Sequence, residues 1–196
     1  MLPLTEKYRP KDFDDFVGQD NVVEIIKQIL ENNRLMNMIF YGPPGTGKNT
    51  MARIIGDKVG FLFQEFDCSD NILNIYNIEE IVRMRSLISD NRIIFIDNAE
   101  DLNQKFQRRL TVVMEKYPHD KFILSCNCMN NLIDPLKSRC LIMDFKPFTT
   151  KQIYRRLQCI AKKEGSNINE DVLMTIARTS NSDMRKAVNM LESVLK

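Results

Sequence analysis

The feature that most constrains the fold of this chain is a glycine-rich loop between an apolar run and a helical pattern. Residues 42–48 have the sequence Gly-Pro-Pro-Gly-Thr-Gly-Lys, and the apolar run MNMIFY (36–41) comes directly before them. The segment MARIIGDKV (51–59) follows, with its apolar residues at helical spacing. A strand, such a loop and a helix in this order form the context in which the loop binds phosphate. The pattern therefore predicts an α/β domain with a nucleotide site at one edge of its sheet.

The remainder of the first 147 residues alternates apolar runs with helical patterns. Runs rich in Ile, Phe and Leu, each followed by a helix, indicate a parallel sheet that is covered by helices on both faces. Residues 1–19 are polar and contain two prolines, so they are predicted to form an extended arm. Asp20 is the predicted N-cap of the first helix. The predicted strands are 36–41, 61–66, 92–97, 121–126 and 140–145, and the predicted helices are 20–32, 51–59, 77–89 and 103–117.

The pattern changes after Pro147, where strands no longer occur. Segments 151–165, 169–180 and 182–196 are three successive amphipathic patterns, and Gly165 stands where a helix is expected to stop. We therefore predict a domain boundary near Phe148. Residues 1–147 would form the sheet domain, and residues 148–196 would form a small lid of three helices.

Composition excludes several other classes of protein. With 43% hydrophobic and 28% charged residues and a net charge of +2, the chain has an ordinary composition that neither requires nor excludes nucleic acid. Five cysteines without a Cys-x-x-Cys pair, and a single histidine, His119, do not make a convincing zinc site. Reduced, buried thiols are expected instead, as in an intracellular protein. The polar N-terminus and the lack of a long apolar run predict a soluble chain without a membrane partner.

The glycine-rich loop carries the clearest chemistry. Its glycines let backbone N–H groups surround phosphate oxygens, and Lys48 adds a positive charge near the outer phosphates. A hydroxyl residue normally follows this lysine and binds Mg²⁺, but here the residue is Asn49. Thr50 lies about 100° further around the helix, so it is not a direct substitute. ATP with Mg²⁺ is the predicted ligand, and the nucleotide-binding residues of the loop are Gly42, Pro43, Pro44, Gly45, Thr46, Gly47, Lys48, Asn49 and Thr50.

The second element of the site is the run IIFIDNAE at 93–100. A buried strand that ends in Asp97 suits a carboxylate linked to Mg²⁺ beside the phosphates. In AAA+ ATPases the next residue is usually a glutamate that activates the attacking water, but here it is Asn98. An amide cannot accept a proton at neutral pH, and loss of such assistance costs about 10²–10⁴-fold in rate. Glu100 is expected to point away from that position.

Six segments, taken in order, resemble the small subunits of replication factor C, the AAA+ subunits of a sliding-clamp loader. They extend over essentially all 196 residues, and the most specific is Ser138-Arg139-Cys140 after the strand that carries Asn127. The resemblance implies a parallel-sheet AAA+ domain followed by a helical lid. The segments are TEKYRPKDFDDFVGQD, GPPGTGKN, IIFIDNAE, LTVVMEKY, FILSCNCMNNLIDPLKSRC and SDMRKAVNMLES.

The resemblance also implies roles for single residues. Asn127 matches the sensor that contacts the γ-phosphate, and Arg185 matches the sensor arginine of the lid. Arg139 matches the arginine finger that enters a neighbouring subunit's site, where such a residue accelerates phosphoryl transfer by about 10³–10⁵-fold. The residues that match the segment lining the adenine pocket are Tyr8, Arg9, Pro10, Val17 and Gly18.

The departures from the family pattern indicate an altered activity. Asn49 and Asn98 replace residues of a working site while Arg139 is kept, which resembles a subunit that supplies a finger but hydrolyses little ATP itself. The implied function is loading of a sliding clamp onto primer–template DNA in replication and repair, within a hetero-oligomer that is typically a pentamer. A fully active clamp-loader ATPase and a non-enzymatic structural subunit are the alternatives. The family's helical collar domain is absent from this sequence, as in a piece of a longer protein or a naturally short form.

In the family, helix N-termini follow the DNA backbone, and this places candidate phosphate contacts on two predicted helices. Such contacts need only positive charge at the right position. The expected location is the nucleus for a cellular eukaryotic protein and the interior of the host cell for a viral one. The candidate DNA-binding residues are Arg83 and Arg85 on one helix and Lys105, Arg108 and Arg109 on the next.

Overall fold

The architecture is that of a parallel sheet between helices, followed by a helical lid. A computed structural model of the chain describes residues 2–68 and 92–195. The helix predicted at 77–89, with Arg83 and Arg85, lies outside the described residues. None of the helices in the described ranges combines the length and apolar character needed to cross a bilayer.

Five strands form one sheet in the order β2-β3-β4-β1-β5, and every neighbouring pair is parallel. They are β1 (Met38–Tyr41), β2 (Leu62–Asp67), β3 (Arg92–Asp97), β4 (Asp120–Cys126) and β5 (Leu141–Asp144). The described α-helices are α1 (Leu4–Lys7), α2 (Asp20–Glu31), α3 (Lys48–Val59), α4 (Gln104–Lys116), α5 (Asp134–Lys137), α6 (Thr150–Lys163), α7 (Glu170–Thr179) and α8 (Met184–Leu195). The predicted parallel sheet is therefore confirmed.

Each face of the sheet buries its own hydrophobic cluster, because successive side chains of a strand point to opposite faces. On β3, Ile94 and Ile96 belong to the cluster covered by α4, whereas Ile93 and Phe95 belong to the cluster covered by α2 and α3. The helices present matching apolar stripes. The residues that α4 buries are Phe106, Leu110, Val113 and Met114, and those that α2 and α3 bury include Val22, Ile26, Met51, Ile54 and Ile55.

The three C-terminal helices share a third cluster that is separate from those of the sheet. Thr149 caps α6 through a capping box with Gln152, and Gly165 adopts a φ of 68° two residues after that helix ends. The cluster also includes Leu4 from α1, so the start of the chain packs on the lid. The buried lid residues are Phe148, Ile153, Leu157, Ile160, Ala161, Leu173, Ile176, Ala177, Ala187, Val188 and Leu191.

The N-terminal arm differs from its prediction in two ways. It is not extended throughout, because Leu4 and Phe13 are buried and the chain turns helically at both, as α1 and as a 3-10 turn, Phe13–Asp15. Asp20 as N-cap is wrong: Gln19 holds the N-cap position with φ 60°, and Asp20 is the first helical residue. Gln19 is fixed there because its amide donates to the Lys146 carbonyl at 2.6 Å and accepts from the Lys146 N–H at 2.9 Å.

A buried ion pair joins the first residues of β3 and β4. The Arg92 Nε lies 2.8 Å from Oδ1 of Asp120, its Nη2 lies 2.5 Å from Oδ2, and both side chains are almost fully buried. The two residues are also register partners in the sheet. Removing one member of such a pair leaves the other charge uncompensated in the interior.

We therefore expect Asp120→Ala to lower the free energy of unfolding by about 3–5 kcal/mol. Urea denaturation followed by circular dichroism measures the effect. Asp14→Ala is the control, because it removes an exposed partner of Lys27 and should hardly move the midpoint. Equal midpoints for the two variants would contradict the stabilising role of the buried pair.

Candidate nucleotide-binding site

A cleft of about 560 Å³ opens at the carboxyl ends of the strands, between the arm, the glycine-rich loop and the lid. Parallel strands place all their carboxyl ends at one edge, which is where ligands of open α/β sheets bind. Gly42, Pro43 and Gly18 lie beside the cleft and do not line it. The predicted site residues that line it are Tyr8, Arg9, Pro10, Val17, Pro44, Gly45, Thr46, Gly47, Lys48, Asn49, Thr50, Asp97, Asn98, Asn127 and Arg185.

The glycine-rich loop is shaped by close packing at two of its glycines. Gly45 has φ 73°, and a Cβ added to it would lie 2.0 Å from Oδ1 of Asp183, just before α8. Gly47 has φ 99°, and a Cβ there would lie 2.5 Å from the ring of Phe16. The Met184 N–H also donates to the Gly45 carbonyl at 3.3 Å. The loop therefore touches both the arm and the lid, and a side chain at position 45 would separate the loop from the lid.

Lys48 is buried at the floor of the cleft. Its Nζ donates to the carbonyls of Gly42 at 2.7 Å and Pro43 at 2.9 Å, and to Oδ1 of Asn127 at 2.9 Å. Burial lowers the pKa of the Lys48 ammonium, and the carboxylates of Asp97 and Glu100 oppose that effect. A phosphate bound by the loop would add the counter-charge that this buried ammonium favours.

The carboxylate of Asp97 is held at the end of β3 by three donors. It accepts hydrogen bonds from the Asn49 side-chain amide, from the Ser125 hydroxyl and from the Asn98 N–H, the last at 3.1 Å. Ser125 was not predicted as a site residue, because its position inside the apolar run of β4 gave no signal. In residues 2–68 and 92–195 no group of three His, Cys, Asp or Glu side chains could hold a metal alone. Asp97 fits a Mg²⁺ ion that takes most of its ligands from phosphates and water.

Asn98 stands at the position that a glutamate usually occupies in AAA+ ATPases, and its side chain faces the carboxylate of Asp67. Its backbone is left-handed, with φ 54° and ψ 45°, a conformation that asparagine tolerates better than most residues. Its Nδ2 donates to Oδ1 of Asp67 at 3.0 Å. Asp67 ends β2, is the register partner of Asp97 and lines the cleft. The signal that could have found it is a polar residue at the end of a strand next to β3.

Asn127 follows β4 and is oriented by Glu100. One oxygen of Glu100, Oε1, accepts from the backbone N–H and from the Nδ2 of Asn127, each at 2.9 Å. The amide oxygen is thereby directed at Lys48. Glu100 was predicted to point away from the position of the catalytic glutamate, and it binds the predicted sensor instead.

The lid and the arm meet at one wall of the cleft. Arg185, the predicted lid sensor, is exposed and lines the cleft. Arg156 of α6 also lines it, and its Nη2 donates to the Tyr8 carbonyl at 2.5 Å. Sequence reasoning missed Arg156, because it is one of many charged residues on an amphipathic helix. Glu164 accepts from the Tyr8 hydroxyl at 2.5 Å and from Lys7 at 2.7 Å, so the lid holds the segment predicted to line the adenine pocket.

Arg139, the predicted finger, lies outside this cleft. It is exposed beyond α5, and its Nε and Nη2 lie 2.9 and 2.5 Å from Oε1 of Glu115 on α4. Its Nη1 donates to the Pro135 carbonyl at 2.8 Å. The predicted DNA-binding residues Lys105, Arg108 and Arg109 are exposed on the same helix, α4.

The cysteines agree only in part with the prediction of buried thiols. Burial raises the pKa values of Cys68, Cys126 and Cys140 to about 12, so these thiols stay protonated and unreactive. Cys128 and Cys159 are exposed, because they lie on a loop after β4 and on the outer face of α6. All five are free thiols.

The strand order, the phosphate loop before α3 and the helical lid define an AAA+ P-loop module. The family model described as the Holliday junction DNA helicase RuvB P-loop domain matches residues 8–150. The solved Thermotoga maritima RuvB Holliday junction branch migration motor superposes with a TM-score of 0.84, at 23% identity, over 95% of this chain and 65% of that one. At that identity the superposition supports the fold alone.

The sequence identity is higher to proteins named replication factor C small subunit. The model described as the RCF1/5-like AAA+ ATPase lid domain matches residues 155–195. The replication factor C small subunit of Methanothermobacter thermautotrophicus is 37% identical over 97% of this chain and 62% of its own length. That of Archaeoglobus fulgidus is 36% identical over 95% of this chain and 62% of its own length. The chain belongs to the family of P-loop domains whose model matches residues 8–150. It spans about three fifths of the length of the replication factor C small subunits that it is similar to.

We expect Gly45→Ala to weaken binding of a fluorescent ATP analogue by at least about tenfold, because the new methyl group collides with Asp183. Fluorescence titration gives the dissociation constant. Gly60→Ala is the matched control, since Gly60 has a similar φ of 66° with nothing within 4 Å of its would-be Cβ. Both variants place a methyl group at a left-handed backbone position, but only Gly45→Ala changes the phosphate loop. Equal affinities would contradict the close packing of loop and lid.

Proposed function

We propose that this chain binds ATP with Mg²⁺ and acts as a subunit of a clamp loader. In this role it assembles with other subunits and helps to place a sliding clamp on primer–template DNA. The observation that carries the proposal is the convergence of Lys48 and Asn127, with Nζ and Oδ1 2.9 Å apart, beside a phosphate loop that touches the lid. This arrangement lets one ligand contact the sheet and the lid together. The relatives named replication factor C small subunit support the choice of partners.

We propose the two-domain organisation that the sequence predicts, with a sheet domain at residues 1–147 and a lid at residues 148–196. Helix α1 then packs on the lid across that boundary through Leu4. Lys48 and the loop amides hold the phosphates. Asp97 contributes to the Mg²⁺ site, and that ion would supply charge neutralisation at the phosphates. Asn127 and Arg185 respond to the nucleotide.

We also propose that hydrolysis at this site is slow. Asn98 offers an amide where a carboxylate would activate water, and Asn49 directs its amide nitrogen at Asp97 in place of a hydroxyl at the metal. Loss of general-base assistance alone lowers the rate of a reaction by about 10²–10⁴-fold. A fully active ATPase is the second candidate, and the carboxylate of Asp67 opposite Asn98 is the observation that favours it.

The test is steady-state ATP turnover of the wild type and of the double variant Asp67→Asn/Asn98→Glu. The double variant restores glutamate at position 98 without setting it against the Asp67 carboxylate, which now lies 3.0 Å from the Asn98 amide. We expect a gain of at least about tenfold, part of what general-base assistance supplies. The chain is assayed with the subunits that co-purify with it, each carrying alanine in place of its own P-loop lysine.

Wild-type turnover equal to that of the double variant would show that the site is not impaired. Lys48→Ala is the control for background and for the non-enzymatic alternative. It should abolish binding of the fluorescent ATP analogue, because a buried ammonium and its phosphate contact are removed together. Identical titrations of wild type and Lys48→Ala would instead support a structural subunit that binds no nucleotide.

Arg139 is proposed to act on a neighbouring subunit's nucleotide. It is exposed, lies outside the chain's own cleft, and contacts Glu115 and the Pro135 carbonyl at the surface. An arginine that arrives from outside a site stabilises the charge that develops during phosphoryl transfer. We also propose that Lys105, Arg108 and Arg109 face DNA. They are exposed on α4, the helix whose Glu115 contacts Arg139.

Arg139→Ala should lower ATP turnover at the neighbouring site by about 10³–10⁵-fold. The assay uses the assembled complex in which this chain carries Lys48→Ala, so that all turnover comes from the other subunits. Arg178→Ala is the control, since Arg178 is an exposed arginine near the end of α7. Turnover that is unchanged by Arg139→Ala would contradict the proposed finger.

A further inference from the structure

We propose that Glu100 strengthens the preference of this site for ATP over ADP, because it holds Asn127 on the ammonium of Lys48. The inference rests on the proposed function, since it requires a nucleotide whose phosphates reach Lys48. Glu100 follows β3 in the 3-10 turn Ala99–Asp101 and does not line the cleft. It is therefore a positioning residue, which acts on the nucleotide through Asn127.

The ammonium of Lys48 has as many protein acceptors as it has protons. Its Nζ lies 2.7 Å from the carbonyl oxygen of Gly42, 2.9 Å from that of Pro43 and 2.9 Å from Oδ1 of Asn127. A lysine ammonium donates three hydrogen bonds and has no further proton. A phosphate oxygen that binds Nζ must therefore take the place of one of these acceptors.

Asn127 is the acceptor that a phosphate can displace most easily. The two carbonyls belong to the main chain of the packed glycine-rich loop, and that of Pro43 also accepts from the Thr46 hydroxyl at 2.8 Å. The third acceptor is the side-chain oxygen of an exposed residue, which can rotate without moving the backbone. A phosphate at Lys48 is therefore expected to displace Asn127 and to leave both carbonyls in place.

Glu100 opposes that displacement. Its Oε1 accepts from the backbone N–H and from Nδ2 of Asn127, each at 2.9 Å. Nδ2 and Oδ1 belong to one planar amide, so the bond that fixes Nδ2 also directs Oδ1 at Lys48. A fixed Asn127 thus competes with a phosphate oxygen for the ammonium. Hydrogen bonds to a charged group are about twice as strong as neutral ones, so the displacement has an appreciable cost.

The surroundings of Glu100 indicate that stability alone does not account for its carboxylate. Among the residues described, its Oε2 is enclosed without a hydrogen-bond partner, which costs free energy. Burial lowers the pKa of the Lys48 ammonium, and Glu100 is one of two carboxylates that oppose this effect. A negative charge so close to the ammonium also disfavours an anionic ligand there. The favourable contact that this carboxylate does make is the pair of hydrogen bonds to Asn127.

ATP and ADP differ in what they offer Asn127 after it leaves Lys48. Nδ2 of an asparagine carries two protons, and Glu100 accepts one of them at 2.9 Å. The γ-phosphate of ATP supplies an acceptor for the other proton, so a new contact of Asn127 offsets the one that is lost. ADP has no γ-phosphate, so its binding bears the cost of displacing Asn127. Glu100 thereby lowers the affinity for ADP more than the affinity for ATP.

The experiment measures the dissociation constants of ADP and of adenylyl imidodiphosphate, a non-hydrolysable ATP analogue, by isothermal titration calorimetry with Mg²⁺. The complex again contains co-purified subunits that lack their own P-loop lysines, so that binding reports on this chain. We expect Glu100→Ala to bind ADP at least about fivefold more tightly than Glu100→Gln, as one hydrogen bond to a charged group predicts. The preference for the analogue over ADP should fall accordingly.

Glu100→Gln is the matched control, because it removes the negative charge but keeps an oxygen that accepts from Asn127. It should retain the wild-type preference. Asn127→Ala, at an exposed residue, is a second test that does not depend on the folding of Glu100→Ala, and it should tighten ADP binding relative to wild type by a similar factor. In the Asn127→Ala background, Glu100→Ala and Glu100→Gln should bind ADP equally, since Glu100 acts through Asn127.

Equal ADP affinities of Glu100→Ala and Glu100→Gln would overturn the inference, since the effect of Glu100 would then be that of its charge. A difference between them that persists in the Asn127→Ala background would overturn it too, because the effect would then be structural. If wild type binds neither nucleotide, both this inference and the proposed ATP binding are wrong. If wild type binds both and Asn127→Ala does not tighten ADP binding, the inference alone is wrong.

Discussion

The parallel direction of the five strands is the constraint on which the rest of this structure depends. Because every strand ends at the same edge, Asp67, Asp97 and Asn127 become neighbours although they are distant in sequence. The same edge receives the turn after β1. A Cβ at Gly42 would lie 2.2 Å from the carbonyl of Phe145, just after β5. The start of the phosphate loop is thus packed directly on the segment that leads to the lid.

Noncovalent contacts, in addition to the connecting segment, join the lid to the sheet domain. The arm packs Leu4 among the lid helices, and Gln19 binds both backbone groups of Lys146 in the connecting segment. Tyr8 is held by two lid residues, Arg156 and Glu164. A nucleotide in this cleft would therefore contact three parts of the chain whose relative positions are already coupled.

Local patterns in the sequence were sufficient to predict the sheet, the lid and the phosphate loop. Hydrophobic periodicity defines a strand or helix within about ten residues, and residues 42–48 form a short motif in which each residue type has its own role. The pairs that complete the site could not be predicted in this way. Asp67 meets Asn98 across 31 residues, Glu100 meets Asn127 across 27, and Arg156 meets Tyr8 across 148. These contacts depend on strand register and lid docking, which no local pattern contains.

Two separate physical reasons favour an asparagine at position 98. The backbone there is left-handed, which costs a glutamate more than an asparagine because the short amide fits that conformation. The side-chain amide donates to Oδ1 of Asp67 at 3.0 Å, which an ionised glutamate at this position could not do. Asn98 is therefore one half of a hydrogen-bonded pair, and a glutamate at this position would lose the contact with Asp67 as well as straining the backbone.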